Sequence, residues 1–333
     1  MTLLWLAFII CTSVIVYSGA KLSQYGDIIA EKVGLGKTWA GIVLMASVTS
    51  LPELVTGISS VTYAGAPDIA VGDVLGSCVF NILILALLDI SQRPMPLSAR
   101  AHQGHTLSAA FGMLLLTIVA ASLFLGKSTF PVGWIGPYTL LFAVIYMAAI
   151  RTVYYYEKRE IARFVREIAG ELKYGHVPTK TAVRSYVFNA ALVVGAALLL
   201  PEIGKGLAEA TGLGQTFVGN VLIALSTSLP EVVVSVAAVR MGSLDLAIGN
   251  LFGSNIFNIF ILAVDDLFFV QGPILSFVNP SHLISALAAI AMTAIAVIGL
   301  TYRAEKKRLL LAWDSLGILS VYLANLLLLY LLK

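Results

Sequence analysis

Charge is scarce in this sequence. Asp, Glu, Lys and Arg make up only 12% of its 333 residues, about half the share of a soluble domain of that length. Cysteine is nearly absent. Cys11 and Cys78 stand in apolar runs with no metal-like spacing, which excludes a disulfide framework and a zinc or redox motif and leaves two small core residues. The four histidines, His102, His105, His176 and His282, all fall in loops or at the edges of apolar runs. No imidazole or lysine therefore stands mid-run to serve a hydrolase or a proton relay. The net charge of +3 implies no nucleic-acid partner, because the basic residues gather in the connecting loops. The first residues, MTLLWLAFIICTSVIVYSG, lack a basic leader and a small-residue cleavage site, so an uncleaved first span is expected.

What is abundant is apolar sequence. Apolar residues make up 59% of the chain, mean hydropathy is +0.93, and the runs are roughly 17 to 25 residues long, enough to cross a bilayer as helices. The reading is an all-α polytopic membrane protein with ten transmembrane helices. They are expected near 2–18, 38–63, 68–91, 105–126, 130–152, 184–204, 214–239, 244–270, 283–302 and 311–331. One long hydrophilic stretch, YYYEKREIARFVREIAGELKYGHVPTK, separates five from five. This gives a first five-helix repeat at 1–153, a linker at 154–183 and a second repeat at 184–333.

The two halves are related. GLGKTWAGIVLMASVTSLPELV aligns with GLGQTFVGNVLIALSTSLPEVV, and PDIAVGDVLGSCVFNILILALLD with LDLAIGNLFGSNIFNIFILAVDD. Composition bias cannot place Pro, Glu, Gly-Ser and Asn in register over such lengths. Five spans per half is odd, so the second half enters the membrane in the opposite sense, the inverted repeat typical of secondary transporters. With the N-terminus outside, Lys21, Lys32, Lys37, Arg93, Arg100, Arg240, Arg303, Lys306, Lys307, Arg308 and the linker cluster fall inside, against Lys127, Lys205 and Lys333 outside. That asymmetry makes the linker cytoplasmic. The expected location is a prokaryotic inner membrane.

TSLPE occurs twice, at 49–53 and 227–231, each time inside an apolar run. Pro52 has no N–H to offer the carbonyl of Val48, nor Pro230 that of Ser226. Such breaks survive in a membrane only where protein or a polar cavity surrounds them. Ser47, Thr49 and Ser50 flank one break, Ser226, Thr227 and Ser228 the other, and Glu53 and Glu231 add a carboxylate to each. Carbonyls, hydroxyls and carboxylates are hard-cation ligands. A kink with a hydrogen-bonded glutamate would explain one copy, but not two in inverted halves meeting near the midplane. In GDVLGSCVFN, Asp73, Ser77 and Asn81 are spaced by four and share a helical face; in GNLFGSNIFN the matching face holds Asn250, Ser254 and Asn258. The glycines of these segments let helices approach closely.

Two A-x-x-T-S-x-P-E segments, each followed by G-[DN]-x-x-G-S-x-x-x-N, resemble the α-repeats of the cation/calcium antiporters, the sodium/calcium exchanger superfamily. The resemblance covers nearly all the membrane part. It implies that Glu53 and Glu231 bind calcium and compete for sodium, with backbone carbonyls of Ala46, Thr49, Ala224 and Thr227 as further ligands. It also implies that Ser50, Ser77, Ser228 and Ser254 line sodium sites, with Asn81 and Asn258 at the centre. Val48 and Ser226 stand where many relatives have Gly, and Asn258 where some have Asp. Asp73 replaces the usual Asn; it either adds a carboxylate near the site or faces a polar loop. Asp89 and Asp266, at equivalent places near span ends, are expected to be caps rather than ion-path residues.

The expected function is antiport of calcium against sodium by alternating access at a central oxygen-lined site, with calcium/proton antiport as the alternative. No cofactor and no enzymatic activity are expected. The expected partners are calcium and sodium ions and the lipid bilayer, with a monomer as the simplest state.

Overall fold

Apolar runs free of breaking residues wind into helices whose ends are set by loop chemistry rather than by the lipid boundary. The computed structural model describes residues 1–33, 49–92, 94–126, 130–164, 178–240, 242, 244–307 and 310–332. Its helices are α1 (Thr2–Val33), α2 (Leu51–Ser59), α3 (Pro67–Leu88), α4 (His105–Leu125), α5 (Pro137–Phe164), α6 (Thr179–Thr211), α7 (Gly214–Thr227), α8 (Leu229–Arg240), α9 (Leu244–Phe268), α10 (His282–Tyr302) and α11 (Trp313–Leu331). Among the described residues, eight helices are long and apolar enough to cross a membrane, and α7 with α8 makes a ninth span bent by 43°. The expected span at 38–63 runs through residues 34–48, outside the described residues; its described part is α2 with a π-helical turn at Ser60–Ala64.

The bounds of three helices differ from the sequence expectation. α1 continues well past residue 18 and α6 extends beyond 184–204 at both ends, because Lys, Gln, Ala and Glu are good helix formers after the lipid-compatible run has ended. α6 also keeps Pro201 within its length. α5 starts at Pro137 rather than near 130, since residues 130–136 form a tight turn closed by Val132 and Ile135, with Gly133 at φ 69°. Proline in the first helical turn wastes no donor.

Two packed bodies result. α1 and α6 lie along one another and share a small cluster in which Phe8, Cys11 and Ile15 meet Ala196, Leu200 and Leu207, joined by Ala64, Ala66 and Ile69 around the start of α3 and by Val218 and Ile223 of α7. The larger core is built by α3 and α9 with α4, α5, α10 and α11. α3 and α9 are enclosed on nearly all sides, whereas α5 and α11 keep a broad apolar face outward. A helix apolar all round is the expected sequence of such a central element.

Glycine lets α3 and α7 touch backbone to backbone. A Cβ on Gly76 would lie 2.7 Å from the Ala224 Cβ and collide with the Asn220 carbonyl, and one on Gly72 would lie 3.0 Å from the Gly219 and Asn220 backbone. The halves are also tied at both ends by crossed pairs. His105 Nε2, first in α4, lies 3.0 Å from Asp245 Oδ1 in the first turn of α9. His282 Nε2, first in α10, lies 3.0 Å from Asp68 Oδ1 in the first turn of α3, and its Nδ1 meets Asn220 Nδ2 at 3.1 Å. His282, expected at a span edge, is fully buried.

Asp89 and Asp266 are caps. Asp89 accepts from the backbone N–H of Leu97 and Ala312 (2.7 and 2.8 Å) and pairs with Lys307 Nζ at 2.8 Å. Asp266 accepts from the N–H of Gly136 and Ile274 (2.7 and 2.6 Å) and from the hydroxyls of Tyr138 and Thr139. Each carboxylate thus pins the loops beyond its own helix.

Candidate cation site

The second TSLPE break is explicit in the backbone. α7 ends at Thr227, Ser228 turns at φ −88°, ψ 3°, and α8 sets off at 43° to α7 with Pro230 in its first turn. In the first copy Ser50 has nearly the same conformation, φ −87°, ψ 14°, and α2 follows with Pro52 in its first turn. Ala46 and Val48, expected to supply a carbonyl and to lose a helical bond, lie outside the described residues. Proline in the first turn needs no donor, so each break comes at the smallest cost in lost bonds. Each break brings its glutamate into the first turn of a new helix, where the partial positive charge favours an anion.

The two breaks meet. Glu53 and Glu231 are both fully buried. Ser228 of the second copy donates to Glu53 Oε1 at 3.1 Å, and Ser50 of the first donates to Glu231 Oε1 at 3.2 Å. The serines of the following helices complete the pattern: Ser77 donates to Glu53 Oε1 at 3.5 Å and Ser254 to Glu231 Oε1 at 3.3 Å. Ser228 and Ser77 are themselves 2.8 Å apart, and Thr49 Oγ1 lies 3.5 Å from Ser254 Oγ and against the Glu231 carboxylate. Both Oε2 atoms have no hydrogen-bond partner among the described residues. Among the described residues each glutamate is therefore oriented through one oxygen, with the other left unbonded. A buried carboxylate oxygen with no donor carries a heavy desolvation cost unless a positive ion meets it.

Asp73 does not face a loop. It is fully buried, accepts from Thr227 Oγ1 at 2.7 Å through Oδ1, leaves Oδ2 unpartnered, and lies within electrostatic range of Glu53 and Glu231. Thr227 Oγ1 also reaches back to the carbonyls of Ile223 and Ala224 at 3.1 and 3.3 Å. Asn81 donates to Asn255 Oδ1 at 2.9 Å, and its own Oδ1 has no partner among the described residues. Among those residues Asn258 likewise finds no oxygen or nitrogen partner, though the Cys78 thiol lies beside it, and neither end of the Asn250 amide is bonded. Asn255 is a site-lining residue that the spacing argument missed: it bonds Asn81 and the Cys78 carbonyl (3.1 Å). Its counterpart in the first repeat is Cys78 itself, so repeat matching gave no polar signal there. Among the described residues, no group of three or more His, Cys, Asp or Glu side chains converges to hold a resident metal. The central donor set is two carboxylates with hydroxyls and amides, all hard oxygens.

Comparison with known proteins gives a consistent picture. The family model described as "Sodium/calcium exchanger protein" matches residues 3–154 and 181–331. The inner membrane protein YrbG of Escherichia coli K12 is 30% identical over 262 residues, covering 74% of each chain. The sodium/calcium exchanger MaX1 of Methanosarcina acetivorans is 37% identical over 142 residues, 42% of this chain and 38% of that one. A structure of the sodium-calcium exchanger NCX_Mj, soaked with sodium and strontium, superposes with a TM-score of 0.63 over 97% of this chain and 98% of that one, at 22% identity. The shared fold is an all-α membrane architecture built from inverted repeats.

Proposed function

The chain belongs to the sodium/calcium exchanger protein family, and on that premise we propose that it exchanges calcium for sodium across a membrane by alternating access at one central site. The observation that carries this reading is the crossing of the breaks: the serine of each TSLPE holds the glutamate of the other, and each glutamate keeps one buried oxygen without a partner among the described residues. Calcium bridges the two free carboxylate oxygens and cancels both charges. The carbonyls of Thr49, Ala224 and Thr227, and of Ala46, complete its shell. Sodium ions occupy overlapping positions among Ser50, Ser77, Ser228 and Ser254, with Asn81 and Asn258 between them and Asp73 as an additional carboxylate. Shared oxygens make occupancy mutually exclusive.

Coupling follows from electrostatics. An empty site carries two uncompensated carboxylates through a low-dielectric barrier, which is costly by several kcal/mol per ion; either cargo removes that cost. The moving body is the α1–α6 pair, whose apolar cluster is distinct from the larger core but reaches Ala64, Ala66 and Ile69 around the start of α3 and Val218 and Ile223 of α7. Among the described residues its polar ties to the broken segments are Thr12 to Ser226 (2.7 Å), Ser59 to the Leu198 carbonyl (3.0 Å), Thr56 to the Ala197 carbonyl (3.5 Å) and Lys205 to the Ala64 carbonyl (3.3 Å). Sliding exchanges few bonds, so the two end states can lie close in energy. The proposal retains ten spans, repeats at 1–153 and 184–333, an outside N-terminus and a cytoplasmic linker, the last two on the positive-inside asymmetry. The direct test is calcium uptake into vesicles under an imposed sodium gradient at clamped pH. Uptake that follows the sodium gradient is expected; uptake that ignores sodium and follows a pH step would give the function to calcium/proton exchange.

A further inference from the structure

One buried carboxylate lies outside the crossed pattern. Asp265, on α9, is fully buried, and neither of its oxygens has a hydrogen-bond partner among the described residues. Its neighbour Asp266 shows the contrast, with donors arriving from two backbone N–H groups and two hydroxyls. Asp265 instead lies flat against bare backbone of α2. A Cβ on Gly57 would sit 2.8 Å from its Cγ and collide with both oxygens. Gly57 stands four residues after Glu53, one helical turn along the same face. The charged groups within reach are Asp73 from α3 and Asp266 on its own helix, all acidic. The buried basic side chains among the described residues, His105, His282 and Lys307, are each paired with a different aspartate. The mirror position in the first repeat is Leu88, so apolar packing alone does not call for an acid there.

From this geometry we infer that Asp265 is a second, off-centre cation station that takes one sodium ion, beside α2 one turn beyond Glu53. Asp266 is satisfied by its own donors and Asp73 belongs to the central site, so the charge left to balance here is that of Asp265 alone, which a single positive charge matches; a divalent ion would leave a buried surplus. The missing side chain at Gly57 is what lets the carboxylate seat against the α2 backbone. The site is one-sided because Leu88 has no charge to offer, so this cation is held on one arm of the pseudo-symmetric pathway only. The inference concerns binding beside the exchange site proposed above and rests on that reading only for its place in the cycle.

The test counts sodium ions directly on the purified full chain. Radioactive sodium binding at saturation in calcium-free buffer is compared for the wild type, Asp265→Asn and Asp265→Leu. The leucine variant copies the mirror residue and guards against misfolding of the amide variant. Both variants bind one sodium ion fewer per chain. Calcium affinity without sodium stays within about threefold, and stabilisation by sodium falls without vanishing, because the central positions still bind it. An unchanged sodium count in both variants would overturn the inference. A calcium affinity loss of about tenfold or more would also overturn it, by placing Asp265 in the central site. Failure of sodium-driven calcium uptake by the wild type, by contrast, would strike the exchange reading and leave these binding counts standing.

Discussion

At the scale of single residues, the account turns on which oxygens are held and which are free. Glu53 and Glu231 each accept from two serines through Oε1, and neither Oε2 has a donor among the described residues. Glu53→Gln or Glu231→Gln removes one of the two charges that meet the cargo. Isothermal titration should show calcium affinity falling by roughly 3 to 5 kcal/mol, the usual cost of breaking a buried charge pair. Ser50→Ala and Ser228→Ala each delete a donor to the glutamate of the opposite repeat, worth about 1.5–3 kcal/mol for a bond to a charged group. Both should weaken calcium binding by similar amounts, and a much larger effect of one than of the other would contradict the symmetric site. The glutamates were legible in the sequence, since a carboxylate beside proline in an apolar run has few structural excuses. The partner of Asp73 was not: Thr227 lies 154 positions away, and spacing along one helix carries no information about the helix opposite. Asp265 stayed illegible for the same reason, because its isolation is created by Gly57 of a distant helix.

At the scale of elements, the close pairing of α3 with α7 sets how the second break faces the first. Gly76→Ala places a methyl group against the Asn220 carbonyl and 2.7 Å from the Ala224 Cβ. Overpacking of this kind costs typically about 1–3 kcal/mol, so the melting temperature and calcium affinity should both fall. Gly112→Ala on α4 meets nothing within 4 Å and should leave both unchanged, or raise stability slightly through helix propensity; equal damage from the two substitutions would contradict the close-packing account. Helix existence was readable from the apolar runs, and the break at the second TSLPE from its proline. Helix ends were less so. Hydropathy marks where lipid-compatible sequence stops, whereas α1, α5 and α6 continue as helices into polar sequence. The start of α5 was misplaced because residues 130–136, apolar enough to pass for a span, are turned back by Gly133 and a two-residue bridge.

For the molecule as a whole, the division into an α1–α6 pair and a larger core predicts where motion can be stopped. Thr12 Oγ1 and Ser226 Oγ lie 2.7 Å apart across that division, a separation compatible with a disulfide if both become cysteine. In a background without Cys11 and Cys78, oxidation of the Thr12→Cys, Ser226→Cys pair should abolish calcium flux in vesicles. Calcium binding to the detergent-solubilised protein should survive, and reduction should restore flux. Flux that persists in the fully oxidised protein would show that this contact does not slide. The inverted repeat that underlies the division was plain in the sequence, because the aligned segments keep Pro, Glu, Gly-Ser and Asn in register. The distinct cluster around α1 and α6 was not, since these helices are as apolar as the ones they pack against.

Calcium titration of the purified protein, with and without sodium, bears most directly on the claim that two crossed glutamates form one shared cation site. Calcium should bind in sodium-free buffer with one central site per chain, sodium should displace it competitively, and the Glu53→Gln, Glu231→Gln double variant should bind none while remaining folded. Tight calcium binding by that double variant, or wild-type binding indifferent to sodium, would contradict it.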